Sequence, residues 1–345
     1  MPGFSSWFKG LFTRTQATRG IDLQPSSRLL NPAHGKLGEH ANATETLDKL
    51  EEHLFCWLLD VEPRQLNASS NNTSLVLGEL GRRVHEQQIA ELPRQPMTLP
   101  MLMSALSDEN VDRSRLAKII LGDPALTDQL LQIANSPFFR AGEQQIESVD
   151  HAIFVLGLDG IRSVISAAIM RPMLAARSSN EALFAQRVWR WGLACARAGE
   201  LIAKAQGNDS NAYFMVGLLP ALSYMTIRRE VQRIYRAHTT QADPEPAVLK
   251  AALQRYDWTL AQMLAATWSL PPRYSAHLLE AERPAPKRTH TPLNDGIILG
   301  TREVLRHAHQ RNLPEDELQR LVQLSDGQFT QVREALVAML KDNTR

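Results

Sequence analysis

Asp123-Pro124-Ala125-Leu126-Thr127-Asp128-Gln129-Leu130-Leu131-Gln132-Ile133-Ala134-Asn135-Ser136-Pro137-Phe138-Phe139 is the stretch whose reading decides the fold. Asp123 supplies a capping carboxylate, and Pro124 takes the first helical position with its φ already set. Leu126, Leu130, Leu131 and Ile133 recur at helical spacing, so one face of this helix is apolar. Asn135-Ser136-Pro137 then ends it. Working outward, Leu92-Pro93 and Leu99-Pro100 repeat the proline device and predict two more helix starts. Residues 148–156 read as a helix stopped by Gly157, and 159–170 as another, stopped near Pro172.

Beyond the polar break at 178–180 the predicted helices lengthen: 181–206, then 212–222, 224–237, 246–255, 260–268, 295–310 and 314–341. On the other side, residues 17–43 are polar, with Pro25, Pro32, Gly35 and Gly38, and read as a linker. A helix capped by Thr44 follows, with Leu47, Leu50, Leu54 and Leu58 in one stripe beside Trp57, and then a second over 75–91. No stretch alternates as a strand, and neither internal repeats nor heptads occur. The prediction is an all-α protein.

Composition narrows the classes. The chain has 345 residues, 43% of them hydrophobic, with 38 Lys+Arg against 37 Asp+Glu. That is globular composition, and the balanced charge gives no long-range pull on nucleic acid or anionic membranes. Cys56 and Cys195 are too few and too far apart for a cystine scaffold, and fit a reducing, cytoplasmic setting. No apolar run reaches the ~20 residues of a spanning helix, and the N-terminus lacks the pattern of a secretion signal. Phe4, Trp7, Phe8, Leu11 and Phe12 would share one face of a short helix, able to dock on a partner or fold back on the domain.

The order of motifs now becomes specific. Leu92-Pro93, Asp123-Pro124-Ala125-Leu126, Leu130-Leu131, Ala134 to Phe139, Ala152-Ile153 and Leu156-Gly157-Leu158 are followed by Phe184, Trp189, Gly217-Leu218-Leu219 and Trp268-Ser269-Leu270-Pro271. Together they resemble the HDOD domain, a helical bacterial signalling domain related to HD-type metal-dependent phosphohydrolases. The resemblance runs from about residue 92 to 282. It implies two packed helical lobes, 91–177 and 181–345, the second a degenerate HD-like domain. A helical extension, 44–90, and the N-terminal segment, 1–43, precede them.

Catalytic relatives hold metal ions with a spaced His, a His-Asp pair and a later Asp, because imidazole and carboxylate bind a divalent ion that acidifies a water. On the resemblance, the first His falls at Trp191, and the pair falls at Pro220-Ala221 after Gly217-Leu218-Leu219. A later His falls at Asp257, a His-rich step at Glu280-Ala281-Glu282, and the final Asp near Thr301, with Asp295 the nearest carboxylate. Pro and Ala ligate nothing, so no metal or other cofactor is expected. Pro220 should also kink its helix or start a new one. The resemblance therefore implies a regulatory role through contact with a signalling protein, in the groove where Asn135, Phe138 and Phe139 end a helix. The rival is a divergent phosphohydrolase using Asp257, Glu280, Glu282 and Asp295 with Mg²⁺ or Mn²⁺.

Two stripes complete the inventory. Arg229, Arg233 and Arg236, with Arg228 beside them, lie on one helix face, and Arg187, Arg190 and Arg197 lie on another. Arginine binds phosphate bidentately, so a nucleotide messenger or nucleic acid is a candidate ligand. The same spacing also suits an ordinary solvated face beside Glu230 and Glu200. Cys195 sits among Trp191, Leu193, Ala194 and Ala198 and reads as a buried structural thiol.

Overall fold

The capping signals of the central stretch are realised atom by atom. The Asp123 carboxylate accepts the Leu126 N–H at 3.1 Å, and the helix runs Pro124–Ala134 with Asn135 at its C-terminal end. Asp112, Ser148, Asp209 and Thr291 cap other helices in the same way. Each such cap contributes about 1 kcal/mol. The computed structural model describes residues 34–106, 112–140, 144–239, 243–281 and 290–341. Among them the regular structure is entirely helical, with no strand.

In chain order the helices are α1 (His34–Leu59), α2 (Pro63–Leu66), α3 (Thr73–His85), α4 (Leu99–Leu106), α5 (Arg113–Leu121), α6 (Pro124–Ala134) and α7 (Val149–Leu174). They continue as α8 (Ser179–Ala205), α9 (Ser210–His238), α10 (Pro246–Thr267), α11 (Pro272–Glu280), α12 (Pro292–His307), α13 (Glu315–Leu321) and α14 (Asp326–Lys341). By contacts the chain divides into Met1–Gly38 and Glu39–Arg345; of the first only residues 34–38 are described. Both expected lobes lie inside the second unit. In the first, α5, α6 and α7 pack together; in the second, α8 packs on α9 and α12, and α10 and α11 pack on α9. Helix α7 joins the lobes by packing on α9 as well.

Close packing of α8, α9 and α12 depends on small residues. A Cβ on Gly300 would lie 2.6 Å from the Cys195 Cα and N, and one on Gly296 would lie 2.5 Å from the Gly199 N. On α9, a Cβ on Gly217 would meet the Ala196 Cα at 2.7 Å. The backbones thus approach as nearly as hydrogens allow, and Cys195 lies fully inside this seam. Burial there drives its thiol pKa far up, so it is inert and structural.

Several sequence expectations are corrected. Helix α1 starts at His34, so residues 34–43 are not linker and Thr44 lies inside the helix instead of capping it. Once the Leu47–Leu58 stripe nucleates a helix, adding residues costs little, which carries it past the glycines. Leu92-Pro93 opens no helix. It forms an extended strap whose Pro93 carbonyl accepts the Trp268 indole N–H at 2.9 Å, while the Gln95 amide donates to the Trp268 carbonyl at 2.6 Å. Pro220 neither starts nor breaks a helix, since α9 runs through it for 29 residues. Its flanks are buried on all sides, and tertiary packing outweighs the lost backbone hydrogen bond.

The expected pair over 246–268 is likewise one helix, α10, and 314–341 is two, α13 and α14. Gly157 does interrupt α7, adopting φ +68°. Helix α7 is long and apolar enough to cross a membrane by length and composition. Most of its apolar residues are buried inside the protein.

Helices α2 and α3 pack on α10, and α3 also packs on α9. The carboxylate of Glu230, wholly buried on α9, pairs with Arg83 of α3 and accepts the Glu91 N–H at 3.1 Å.

Candidate functional site

Four of the positions to which the resemblance assigns metal ligands come together. Trp191, Pro220, Asp257 and Thr301 all line one cavity of about 60 Å³ formed by α1, α8, α9, α10 and α12. The Trp191 indole N–H donates to the Thr301 hydroxyl at 2.9 Å, so a donor–acceptor bond stands where the resemblance places two ligands. The indole stacks on Tyr224 at 4.7 Å between centroids, and Phe55 of α1 stacks on the same ring at 6.2 Å. Ala221 is packed so closely on α8 that a Cβ on Gly192 would lie 2.6 Å from its own.

Leu47, Leu50 and Leu54 of α1 form the outer wall of this cavity. Arg187 of α8 fastens α1 there: it donates to the Trp57 carbonyl, pairs with Asp60 at 2.9 Å and lies over the Trp57 ring at 5.6 Å. On the inner wall, Asn294 is 4% exposed and neither of its amide atoms has a partner. The sequence hinted at this cover only through the apolar Leu47–Leu58 stripe, which had to face something. It gave no sign that the stripe faces Trp191.

The acids of the rival reading do not converge. Asp295 is almost wholly buried and is bonded to the His290 ring at 2.8 Å and the Gln323 N–H at 3.1 Å. Asp257 accepts the Trp258 N–H at 2.8 Å, Glu280 is exposed at the end of α11, and Glu282 lies outside the described residues. Among the described residues no group of three His, Cys, Asp or Glu side chains is arranged to hold a metal ion.

The expected groove residues separate. Phe138 lines a cavity of about 250 Å³ between α6 and α8, together with Arg171, Trp189 and Arg190. Asn135 and Phe139 are not in its wall. The Asn135 amide donates to the Ile146 and Leu131 carbonyls and accepts the Ile146 N–H at 2.8 Å, clamping the following loop. Phe139 packs edge-on against Phe214, 5.9 Å away. Phe4, Trp7 and Phe8 lie outside the described residues. Exposed large apolar side chains are frequent in the first lobe, where Met97 and Phe154 are the most open, at 95% and 78%.

The arginine stripes divide too. Arg187 and Arg197 are engaged by Asp60 and Glu200. Arg229 is a structural residue: it pairs with buried Glu181 at 2.7 Å and donates to the Met173 and Ala175 carbonyls. Arg233 and Arg236 remain exposed on the rim of a larger cavity.

Residues 92–284, more than half of the chain, match the HDOD domain. The chain belongs to the HDOD family. No curated protein matches it. Among solved structures, this HDOD protein is similar to one from Shewanella amazonensis named "Putative metal-dependent phosphohydrolase", with TM-score 0.53 and 16% identity over 79% of this chain and 100% of that one. It is also similar to an HDOD domain protein of unknown function from Geobacter sulfurreducens, with TM-score 0.50 and 18% identity over 77% of this chain and 97% of that one. At these identities the likeness shows the fold.

Proposed function

We propose that this HDOD protein is a non-catalytic regulator in signal transduction, acting in the cytoplasm by contact with other proteins. The observation that carries the reading is the Trp191–Thr301 bond, on the very positions where HD-type chemistry needs ligands, with α1 closed over it. An apolar cavity of about 60 Å³ admits a water or two and no phosphodiester. Indole and proline ligate no metal, and the carboxylates among the described lining residues, Asp257 and Glu51, are joined there by no histidine.

The test is metal content and turnover of the purified full chain. It should contain no stoichiometric Mn²⁺, Mg²⁺ or Fe, gain no melting temperature from added Mn²⁺, and leave bis(p-nitrophenyl) phosphate unhydrolysed. Stoichiometric metal together with hydrolysis abolished by Asp257→Asn would sink the reading and reinstate a phosphohydrolase.

A further inference from the structure

A concentration of positive charge among the described residues lies away from the HD-like cavity. Five arginines, Arg177, Arg228, Arg229, Arg233 and Arg236, line a cavity of about 390 Å³ where α9 passes the start of α8. Three carboxylates oppose them. Of these, Glu181 is consumed by Arg229 at 2.7 Å. Glu91 reaches Arg177 at 2.6 Å and Arg233 at 3.6 Å. Asp243 accepts from the Asn180 amide at 3.5 Å.

The first turn of α8 contributes as well. Ser178 stands at its N-terminal cap, yet its side chain makes no cap hydrogen bond, and Ser178, Ser179 and Asn180 all line the cavity. First-turn N–H groups lack intrahelical acceptors and carry the positive end of the helix dipole. Arg228 is steadied over the Phe184 ring at 4.8 Å and donates to the Asn180 carbonyl, which holds it at that helix start.

We propose that this cavity binds a small molecule carrying two or more phosphate groups. Guanidinium forks, a free hydroxyl and first-turn amides together match phosphate oxygens. Arg228 and Arg236 are eight residues apart on α9, about 12 Å along its axis, more than a single phosphate spans. None of the described lining residues is aromatic, so the ligand is held by its phosphates and not by a stacked base. The volume suits a small molecule. Glu91 acts as the resident anion, its carboxylate lying between two of the arginines that a phosphate would engage.

The probes are tripolyphosphate and pyrophosphate, titrated into the full chain by calorimetry at 50 mM NaCl, with sulfate as comparator. Tripolyphosphate should bind one-to-one and more tightly than sulfate, and weaken as salt rises. Arg233→Gln with Arg236→Gln should weaken it at least tenfold at an unchanged melting temperature, because both side chains are exposed. Glu91→Gln should tighten it several-fold, the opposite of what structural damage does. No tripolyphosphate binding at 1 mM, or binding unchanged by the double substitution, would overturn the site. Tighter binding of a single-stranded oligonucleotide than of tripolyphosphate, lost in the same variant, would overturn the small-molecule assignment. None of these outcomes bears on metal content or hydrolysis.

Discussion

Replacing Trp191 by Phe and Thr301 by Val, singly and together, asks whether the bond in the HD-like cavity holds the fold there. Trp191→Phe removes the indole N–H and part of a ring that is 2% exposed. We expect a loss of about 2 kcal/mol, roughly half from the hydrogen bond and half from the smaller side chain. Thr301→Val keeps the shape but strands the indole N–H in a buried site, which costs about 1–3 kcal/mol. In the double variant neither polar group remains, so only the packing loss and some strain survive. The two single effects should therefore sum to more than the double effect, by about 1–2 kcal/mol. Urea unfolding with a shared m-value measures all four corners of the cycle. Additivity within about 0.5 kcal/mol would refute the reasoning, because uncoupled residues cannot share a bond that matters.

Other substitutions test other parts of the structure. Gly300→Ala forces a Cβ to 2.6 Å from the Cys195 backbone and should prevent stable folding, read as loss of cooperative melting. Gly78→Ala, with open space around it on the exposed face of α3, should gain up to about 1 kcal/mol in the same assay. Asn294→Leu removes a buried amide whose two polar atoms have no partner and should leave the protein as stable or more so; a fall in melting temperature would show that the amide is satisfied. Arg229→Met strands Glu181 in the interior and should cost about 3–5 kcal/mol in urea unfolding.

Stability should also fall on acidification. Burial pushes His53, His277 and His307 below their ordinary 6.5, so their contribution is present above that value and lost as pH drops through their folded values. Burial alone would raise the Glu181 carboxyl, but the bond from Arg229 and the Arg177 N–H hold it below the ordinary 4.5. Its contribution is therefore lost further down, below about pH 4.5. A melting temperature that rises between pH 7 and pH 5.5 would contradict the histidine assignment.

What the sequence disclosed follows physical range. Local signals were legible: the Asp123-Pro124 start, the Gly157 break and the all-α character each rest on a few adjacent residues. Signals that depend on partners were not. Pro220 looks like a breaker in isolation, yet α9 is buried along most of its length and absorbs the missing bond. Leu92-Pro93 matches Leu99-Pro100 letter for letter, but Trp268, some 175 residues away, pulls its carbonyl into a strap. For the candidate site, the resemblance located Trp191, Pro220, Asp257 and Thr301 one by one, and the fold brought them to a single cavity. That the Trp191 indole would bond to Thr301 under α1 is a fact of three-dimensional proximity alone.

The arginine stripe shows the same limit from the other side. On a helical wheel Arg229, Arg233 and Arg236 are equivalent, and spacing gives no reason to treat them differently. Glu181, one helix earlier, separates them. It takes Arg229 at 2.7 Å into the interior, where two backbone carbonyls complete its coordination, while Arg233 and Arg236 stay at the rim. A near-zero net charge over the whole chain therefore coexists with a strongly local field. Opposite charges here neutralise each other in buried pairs such as Glu181–Arg229 and Glu230–Arg83, while Arg233 and Arg236 are left exposed on one rim. An anion that binds this protein would be guided by that remainder, and raising the salt should weaken its binding even though the chain as a whole carries almost no charge.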